Sequence, residues 1–395
     1  MTEFDSVDQM KPELWTSSAN SVIKLSLVDD NGAIKFSPLW TYPIFGDSEQ
    51  IFGYKNLIVN LAFDSVTFKP FLTVKFASKL NSDVENVQQK LLDFLPPKDV
   101  IIDDEIVWVD AFHEEQQSYC LPAEKYIIDS YECGGDEFAV YQCKLSDNRI
   151  RTLHRRMQIF TLFFIESASY IDETDDMWTL FITFNKRTKQ CIGYATTYKY
   201  WRYPGAKDFD NNTMYQYTAK ISQFLIYPPY QGKSHGSLLY NSIVNQWQRD
   251  PAIAEIIVED PNESFDILRD KNDLSRLYQD GLFDKIPNQV PLSDSWILSV
   301  KKKYKLETRQ LMRLIEMIMM HNQHPNLRLQ IKKRLYEKNF DLLADLDNST
   351  RNDKLQTAFL SIRDEYKNIL SSLPLVKRGF DGLSDSSIVK RTKLD

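Results

Sequence analysis

The sequence predicts an α/β protein whose last third is helical, and three observations carry that expectation. Short runs that alternate apolar and polar residues fill the region from about 20 to 110. From about 135 to 275 such runs alternate with segments of helical apolar spacing, and beyond about 300 only the helical spacing remains. The expected organisation is a mainly-β N-terminal α/β domain over 1–134 and an α/β core over 135–275. A helical domain over 276–372 and a flexible, basic-patched tail over 373–395 follow.

In chain order, SVIKLSLVDDNGAIKFSPLW places Asn31-Gly32 between two alternating runs, a hairpin signal. LIVNLAF and FKPFLTVKFAS continue the alternation, and VENVQQKLLDFLPP reads as one short helix ended by prolines. EFAVYQCKL is a strand. NRIRTLHRRMQIFTLFFIESASYID has helical spacing with one basic face, and WTLFITFNKRTKQCIGYATTYKYW is two strands around a polar turn. KISQFLIY and the β-branched IAEIIVED are further strands, the second followed by the helical PNESFDILRDKNDLSRLYQDG. LETRQLMRLIEMIMMHNQ, LRLQIKKRLYEKNFDLLADL and RNDKLQTAFLSIRDEYKNILSSL are the C-terminal helices; the Met cluster near 317–320 reads as core packing. No internal repeat is evident.

Composition bounds the function. With 43% apolar residues, 20 Tyr and 23 Phe in 395 positions, the chain is globular and long enough for two or three domains. A formal net charge of -7 argues against direct nucleic-acid binding and suits a basic partner. No apolar run reaches the roughly 18–20 residues that span a bilayer, and MTEFDSVDQMKPELW lacks a secretory pattern. Cys120, Cys133, Cys143 and Cys191 form no C-x-x-C pair, and the five histidines do not flank them at ligand spacing. No metal is expected, and the thiols read as reduced in a cytosolic or nuclear protein.

The stretch 224–240, FLIYPPYQGKSHGSLLY, carries the chemistry. An apolar strand stops at Pro228-Pro229, which cannot donate to a ladder. A polar segment with Gly232, Lys233 and Gly236 then runs into a helix start, whose free N–H groups and dipole favour an anion. On chemistry alone the segment is either a pyrophosphate cradle or an ordinary β-α turn. It has neither the G-K-[ST] of a P-loop nor G-x-G-x-x-G.

QGKSHG resembles the Q/R-x-x-G-x-G/A signature with which the GNAT acetyltransferase superfamily holds the pyrophosphate of acetyl-CoA. SQFLIYPPYQGKSHGSLLY, IIVEDPNESFDILRD, HRRMQIFTLFFIESASYIDETD, TTYKYW and TYPIFGDSEQIFGYK together resemble the type B histone acetyltransferase catalytic subunits, in order, over roughly 10–370. The one departure is Ser234 where the family has its middle glycine.

The resemblance implies a GNAT core in which two parallel strands splay around acetyl-CoA, the co-substrate. It implies that the backbone of Phe224, Leu225 and Ile226 holds pantetheine and thioester, and that Gln231, Gly232, Lys233, Ser234, His235, Gly236 and Ser237 hold the pyrophosphate, with Asn262 nearby. A lysine amine, with a pKa of about 10.4, needs a base at neutral pH. The resemblance makes Glu259 that base in a direct attack within a ternary complex, with Asp260 and Glu166 assisting. From the residues themselves, Asp260 is equally an N-cap of the next helix, and Glu166, in an apolar helical stretch, is alternatively a surface or ion-paired carboxylate.

The implied substrate is the N-terminal tail of newly made histone H-four, with its histone partner, and the implied subunit partner is a WD-repeat histone chaperone. Asp47, Glu49, Trp201 and Tyr203 are the groove candidates; Trp201 is alternatively simple packing. The loop 203–211, polar, aromatic and Gly-containing, is a candidate docking surface. Lys377-Arg378 and Lys390-Arg391-Thr392-Lys393 resemble a bipartite import signal, consistent with cytoplasm and nucleus. The rival readings are a GNAT acting on another amine and a non-catalytic histone-binding subunit.

Overall fold

The computed structural model describes residues 11–203, 205–211 and 216–374. They form two compact units: the described parts of 1–198 with 221–239, and the described parts of 199–220 with 240–374. The basic clusters at 377–378 and 390–393 lie outside the described residues.

In the first unit β1 (Ile23–Asp29), β2 (Gly32–Phe36), β3 (Ile58–Asp64), β4 (Pro70–Lys75) and β5 (Ile101–Ile102) form one sheet in the order β2-β1-β3-β4-β5. β1 pairs antiparallel with β2 and parallel with β3, so this sheet is mixed. The hairpin is there, one residue earlier than the Asn31-Gly32 signal suggests. Asp29 faces Gly32 across the ladder, the loop is Asp30-Asn31, and Gly32 takes φ 125 as the strand restarts. After a single helical turn at Ala19–Val22, the same stretch of chain carries α1 (Tyr42–Phe45), α2 (Val87–Leu92) and α3 (Glu105–Ser118). The pattern did not announce α3, because only Trp108 and Phe112 of its 14 residues are buried. Asp104 caps it, and Trp108 stacks on Phe71 at 5.2 Å, with Ala62 in the same cluster.

A second sheet contains β6 (Ile127–Cys133), β7 (Asp136–Cys143), β8 (Trp178–Asn185), β9 (Cys191–Trp201), β10 (Tyr217–Ile226) and β11 (Ile253–Val258), in that order. β6 to β9 are successively antiparallel. The domain boundary expected at 134/135 falls inside the Gly134-Gly135 loop of the β6–β7 hairpin, so β6 belongs with the strands that follow it. Between β7 and β8 the expected single helix is two, α4 (Asn148–Met157) and α5 (Ile159–Phe164), broken at Gln158. Arg156 of the basic face is buried and bridges Asp99 at 2.8 Å and Glu115 at 2.6 Å.

After β10 comes α6 (His235–Arg249), and after β11 comes α7 (Glu263–Gln279), which runs through the boundary expected at 275/276. The second unit continues as α8 (Asp294–Tyr304), α9 (Thr308–His321), α10 (Leu327–Lys338), α11 (Phe340–Ala344) and α12 (Asn348–Ser371). Leu311, Leu314, Ile315 and Ile318 of α9 pack with Ile331, Tyr366 and Ile369, and Met317 and Met319 are fully buried among them. Among the described residues no helix is long and apolar enough to cross a membrane.

Candidate active site

In the first unit β10 ends at Ile226, and Pro228–Tyr230 forms one 3-10 turn before the chain reaches α6. The prolines have no N–H to offer a sheet. The carbonyl at the strand end is met instead by a side chain, Gln231 Nε2 to Ile226 O at 2.8 Å. Gln231, Gly232, Lys233 and Ser234 are exposed, His235 is buried, and Gly236 and Ser237 are half-buried in the first turn of α6. Both Gly232 (φ 73) and Ser234 (φ 67) are left-handed. Ser234 therefore takes the glycine-like backbone at the position where the family signature has glycine, at a cost of about 1–2 kcal/mol for a residue with a Cβ. Lys233 Nζ reaches back to Pro229 O at 3.3 Å.

Leu225 and Ile226 are buried and Phe224 is half-buried. Their path depends on Gly193 of β9, which sequence reasoning missed. A Cβ there would lie 2.4 Å from Leu225 O and 2.8 Å from Ile226 Cα, backbone atoms that cannot step aside. A glycine inside a strand pattern is the signal that could have found it. Gln223, also on β10, donates to Ser169 O at 2.7 Å and accepts from Thr196 Oγ1 at 3.1 Å.

That Ser169 contact fixes the turn carrying Glu166. α5 stops at Phe164, Ile165 is already extended, and Ser167 is left-handed at φ 59, so Glu166 sits exposed on a turn and not on a helix face. Ser167 N donates to the Tyr42 hydroxyl. Tyr42 also opens α1, and its N–H donates to Glu49 Oε1 at 3.0 Å, so the GDSE segment and the Glu166 turn meet through one tyrosine. Glu49 is not an open groove carboxylate. It accepts from Thr41 N at 2.6 Å and Asn20 Nδ2 at 2.8 Å as well, as a cap for α1. Burial works to raise its pKa, but these hydrogen bonds outweigh it and hold the carboxyl below its ordinary range. Asp47 is exposed.

In the second unit β11 ends at Val258, so Glu259 and Asp260 lie in the bend beyond it and strand alternation does not govern where they point. Both are exposed, and Asp260 has φ 36. Glu259 Oε1 lies 2.6 Å from Lys220 Nζ on β10, a partner 39 residues away with no sequence signal. The N-cap is Asn262 and not Asp260: its Oδ1 accepts from Phe265 N at 2.9 Å, which commits that oxygen to α7. Trp201 and Tyr203 are 45% and 56% exposed. They pack on each other at 5.7 Å and on exposed Phe209 at 6.2 and 5.9 Å, an aromatic cluster on the surface.

All four cysteines are free, and among the described residues no group of three or more His, Cys, Asp or Glu is placed to hold a metal.

Comparison with known proteins decides the family. Residues 15–166 match the model described as "Histone acetyl transferase HAT1 N-terminus", and 270–324 match "Fungal HAT1, C-terminal". The histone acetyltransferase type B catalytic subunit of Kluyveromyces lactis is 54% identical over 94% of this chain and 96% of its own length. The chain belongs to the type B histone acetyltransferase catalytic subunits. The Eremothecium gossypii subunit is 51% identical over 94% and 95%, and that of Candida albicans 41% over 98% and 97%. Two solved acetyltransferases of other kinds show a slight likeness. An aminoglycoside acetyltransferase from a soil metagenome has a TM-score of 0.23 at 14% identity, over 35% of this chain and 85% of that one. Arabidopsis thaliana NAA60 has a TM-score of 0.25 at 14%, over 35% and 83%.

As a member of this family the chain is an α/β acyltransferase with acetyl-CoA as co-substrate. The 231–237 turn fits that group: exposed residues at 231–234, two left-handed residues and the start of a 15-residue helix suit a pyrophosphate.

Proposed function

We propose that the chain acetylates lysine side chains in the N-terminal tail of newly synthesised histone H-four, by direct attack in a ternary complex, with Glu259 as general base. Bound acetyl-CoA supplies the activated acyl group. Residues 231–237 hold its pyrophosphate, and the backbone of Phe224, Leu225 and Ile226 lines the thioester arm, with Asn262 offering its remaining amide.

One observation carries the base assignment: an exposed carboxylate just past β11 already receives an ammonium N–H at 2.6 Å. A site that accepts the Lys220 ammonium has the chemistry to accept a substrate ammonium. About one lysine in 10³ is neutral at pH 7, so a carboxylate that takes the proton as nitrogen attacks is needed. The neutral lysine nitrogen attacks the thioester carbonyl and gives its proton to Glu259; the acyl group moves to nitrogen as the carbon–sulfur bond breaks, and coenzyme A leaves as the thiolate, which takes up a proton. Asp260 and Glu166 assist by adding negative charge that favours a cationic approach. No side chain is acylated.

The N-terminal region, over 1–134 with its acidic Asp47, and the aromatic cluster of Trp201 and Tyr203 receive the histone tail, for which a chain of net charge -7 is suited. The partners are histone H-four with its histone partner and a WD-repeat chaperone subunit, met in cytoplasm and nucleus, without direct contact to nucleic acid.

Glu259→Gln tests this. We expect kcat on a histone-tail peptide to fall on the order of 10²–10⁴-fold, with KM for acetyl-CoA near normal. An unchanged kcat overturns the base assignment. Labelled acetyl appearing on polyamines and not on histone peptide overturns the substrate.

A further inference from the structure

The edge hairpin β6–β7 takes hold of the turn before α6 at two points. Tyr131 Oη lies 2.8 Å from His235 Nδ1, and the Cys133 thiol donates to the Lys233 carbonyl at 3.4 Å. Tyr131 and Cys133 are two residues apart on one strand and so share a face. Across the ladder Tyr131 pairs with Phe138 and Cys133 with Asp136, a register closed by the two left-handed glycines 134 and 135.

The His235 ring sits among these aromatics. Phe138 meets it edge-on at 4.7 Å, and the Tyr131 ring stacks on Phe138 at 5.4 Å. Tyr131 and His235 are 1% and 3% exposed. Burial pushes the imidazole down to about 4, and the charge of Lys233 acts in the same direction, so the ring is neutral and can pair one nitrogen with the tyrosine hydroxyl.

The two tied residues, Lys233 and His235, flank Ser234, whose left-handed φ of 67 is a conformation that persists only where the surroundings over-determine it. We infer that Tyr131 and Cys133 are positioning residues for acetyl-CoA: they clamp the chain on both sides of Ser234 and hold the 231–237 turn in the shape that receives the pyrophosphate. This rests on the reading that 231–237 is the pyrophosphate cradle. A clamp made before the ligand arrives removes an ordering cost from binding and leaves proton transfer untouched.

The test is steady-state kinetics with two acetyl donors: acetyl-CoA, and S-acetylpantetheine, which has no pyrophosphate. Tyr131→Phe, and separately Cys133→Ala, should raise KM for acetyl-CoA about tenfold, leave kcat within about twofold, and leave KM for S-acetylpantetheine unchanged. Adding Ser234→Gly to Tyr131→Phe should recover most of the lost affinity, because glycine takes the left-handed conformation unaided. A general loss of packing would not be rescued this way and would raise KM for both donors. Gly236→Trp separates the two readings. If it leaves coenzyme A affinity intact by calorimetry, the cradle reading fails. If it abolishes binding while Tyr131→Phe and Cys133→Ala behave like the parent, the clamp alone is overturned.

Discussion

The two units differ in which polar groups dominate their interiors, although the first also holds a buried ion-pair network, Arg156 with Asp99 and Glu115. In the first, neutral polar atoms lie in an aromatic interior without a protein partner: both ring nitrogens of His154, and the hydroxyls of Tyr194 and Tyr227. In the second, full charges are buried against opposite charges. Glu316, 0% exposed, takes Arg334 at 2.7 Å on each oxygen and Tyr366 Oη at 2.9 Å. Asp270 takes Arg313 at 2.6 Å, and Arg269 takes Glu307 at 2.7 Å. Geometry accounts for the contrast. Packed helices bring long side chains at i, i+3 and i, i+4 together, as in Arg269–Asp273–Arg276. In the first unit's core the large rings do the packing, and their polar atoms are incidental. The consequence is that the unpaired ring atoms of the first interior can be stripped at little cost, and the paired charges of either interior cannot.

The largest effect is expected in the bundle. Glu316→Ala strands the guanidinium of Arg334 and the Tyr366 hydroxyl, and should cost about 3–5 kcal/mol. Urea unfolding of the full chain reads this. A loss below about 1 kcal/mol would mean that the bidentate pair is decorative. Glu316→Leu combined with Arg334→Met should recover much of the loss, since the cost comes from an orphaned charge and not from the missing pair.

The sheet unit should instead reveal itself through pH. Burial pushes His154 down to about 4, opposed only weakly by the charge of Glu173. The folded state therefore binds fewer protons than the unfolded chain between about 4 and 6.5. The stability that this group contributes is fully present above 6.5, is lost as pH falls through that window, and changes no further below it. The shift corresponds to about 3 kcal/mol. His154→Phe keeps a ring against Tyr194, now 6.0 Å away, and should remove about half of that slope, because His235 is held down to about 4 in the same way. A slope left unchanged by the substitution would move its origin elsewhere.

How much of this was legible in the sequence follows the same division between local and distant causes. β1 to β4 and β8 to β11 were readable because their apolar residues alternate, and α9 because its apolar residues repeat at helical spacing. β6 was missed because IIDSYEC carries three polar residues in seven on an edge strand. Glu166 was placed on a helix because Ile165 prolongs the apolar run, while the left-handed Ser167 that ends it leaves no mark in composition. The 231–236 turn was legible as local chemistry, prolines and glycines in order. The side chains around it were not: Lys220 beside Glu259, Tyr131 beside His235 and Glu49 beneath Tyr42 are joined only by folding. Residues in turns announce themselves, and their partners across a sheet do not.

The smallest expected effect is the sharpest test of the contrast. Tyr227 directly follows β10, and its backbone N–H donates to Ile192 O at 3.1 Å. Its ring packs on Phe68 at 4.9 Å and Phe160 at 5.0 Å, so the aromatic face does the work and the hydroxyl has no protein partner. Tyr227→Phe keeps every one of those ring contacts. Deleting an unpaired buried hydroxyl removes a desolvation cost, so stability should stay within about 0.5 kcal/mol of the parent or rise. Because β10 is held by Gly193 and Gln223 and not by that oxygen, KM for acetyl-CoA should not move. A loss of more than about 1 kcal/mol would show that the hydroxyl is bonded after all. The sheet interior would then handle its polar groups as the bundle does.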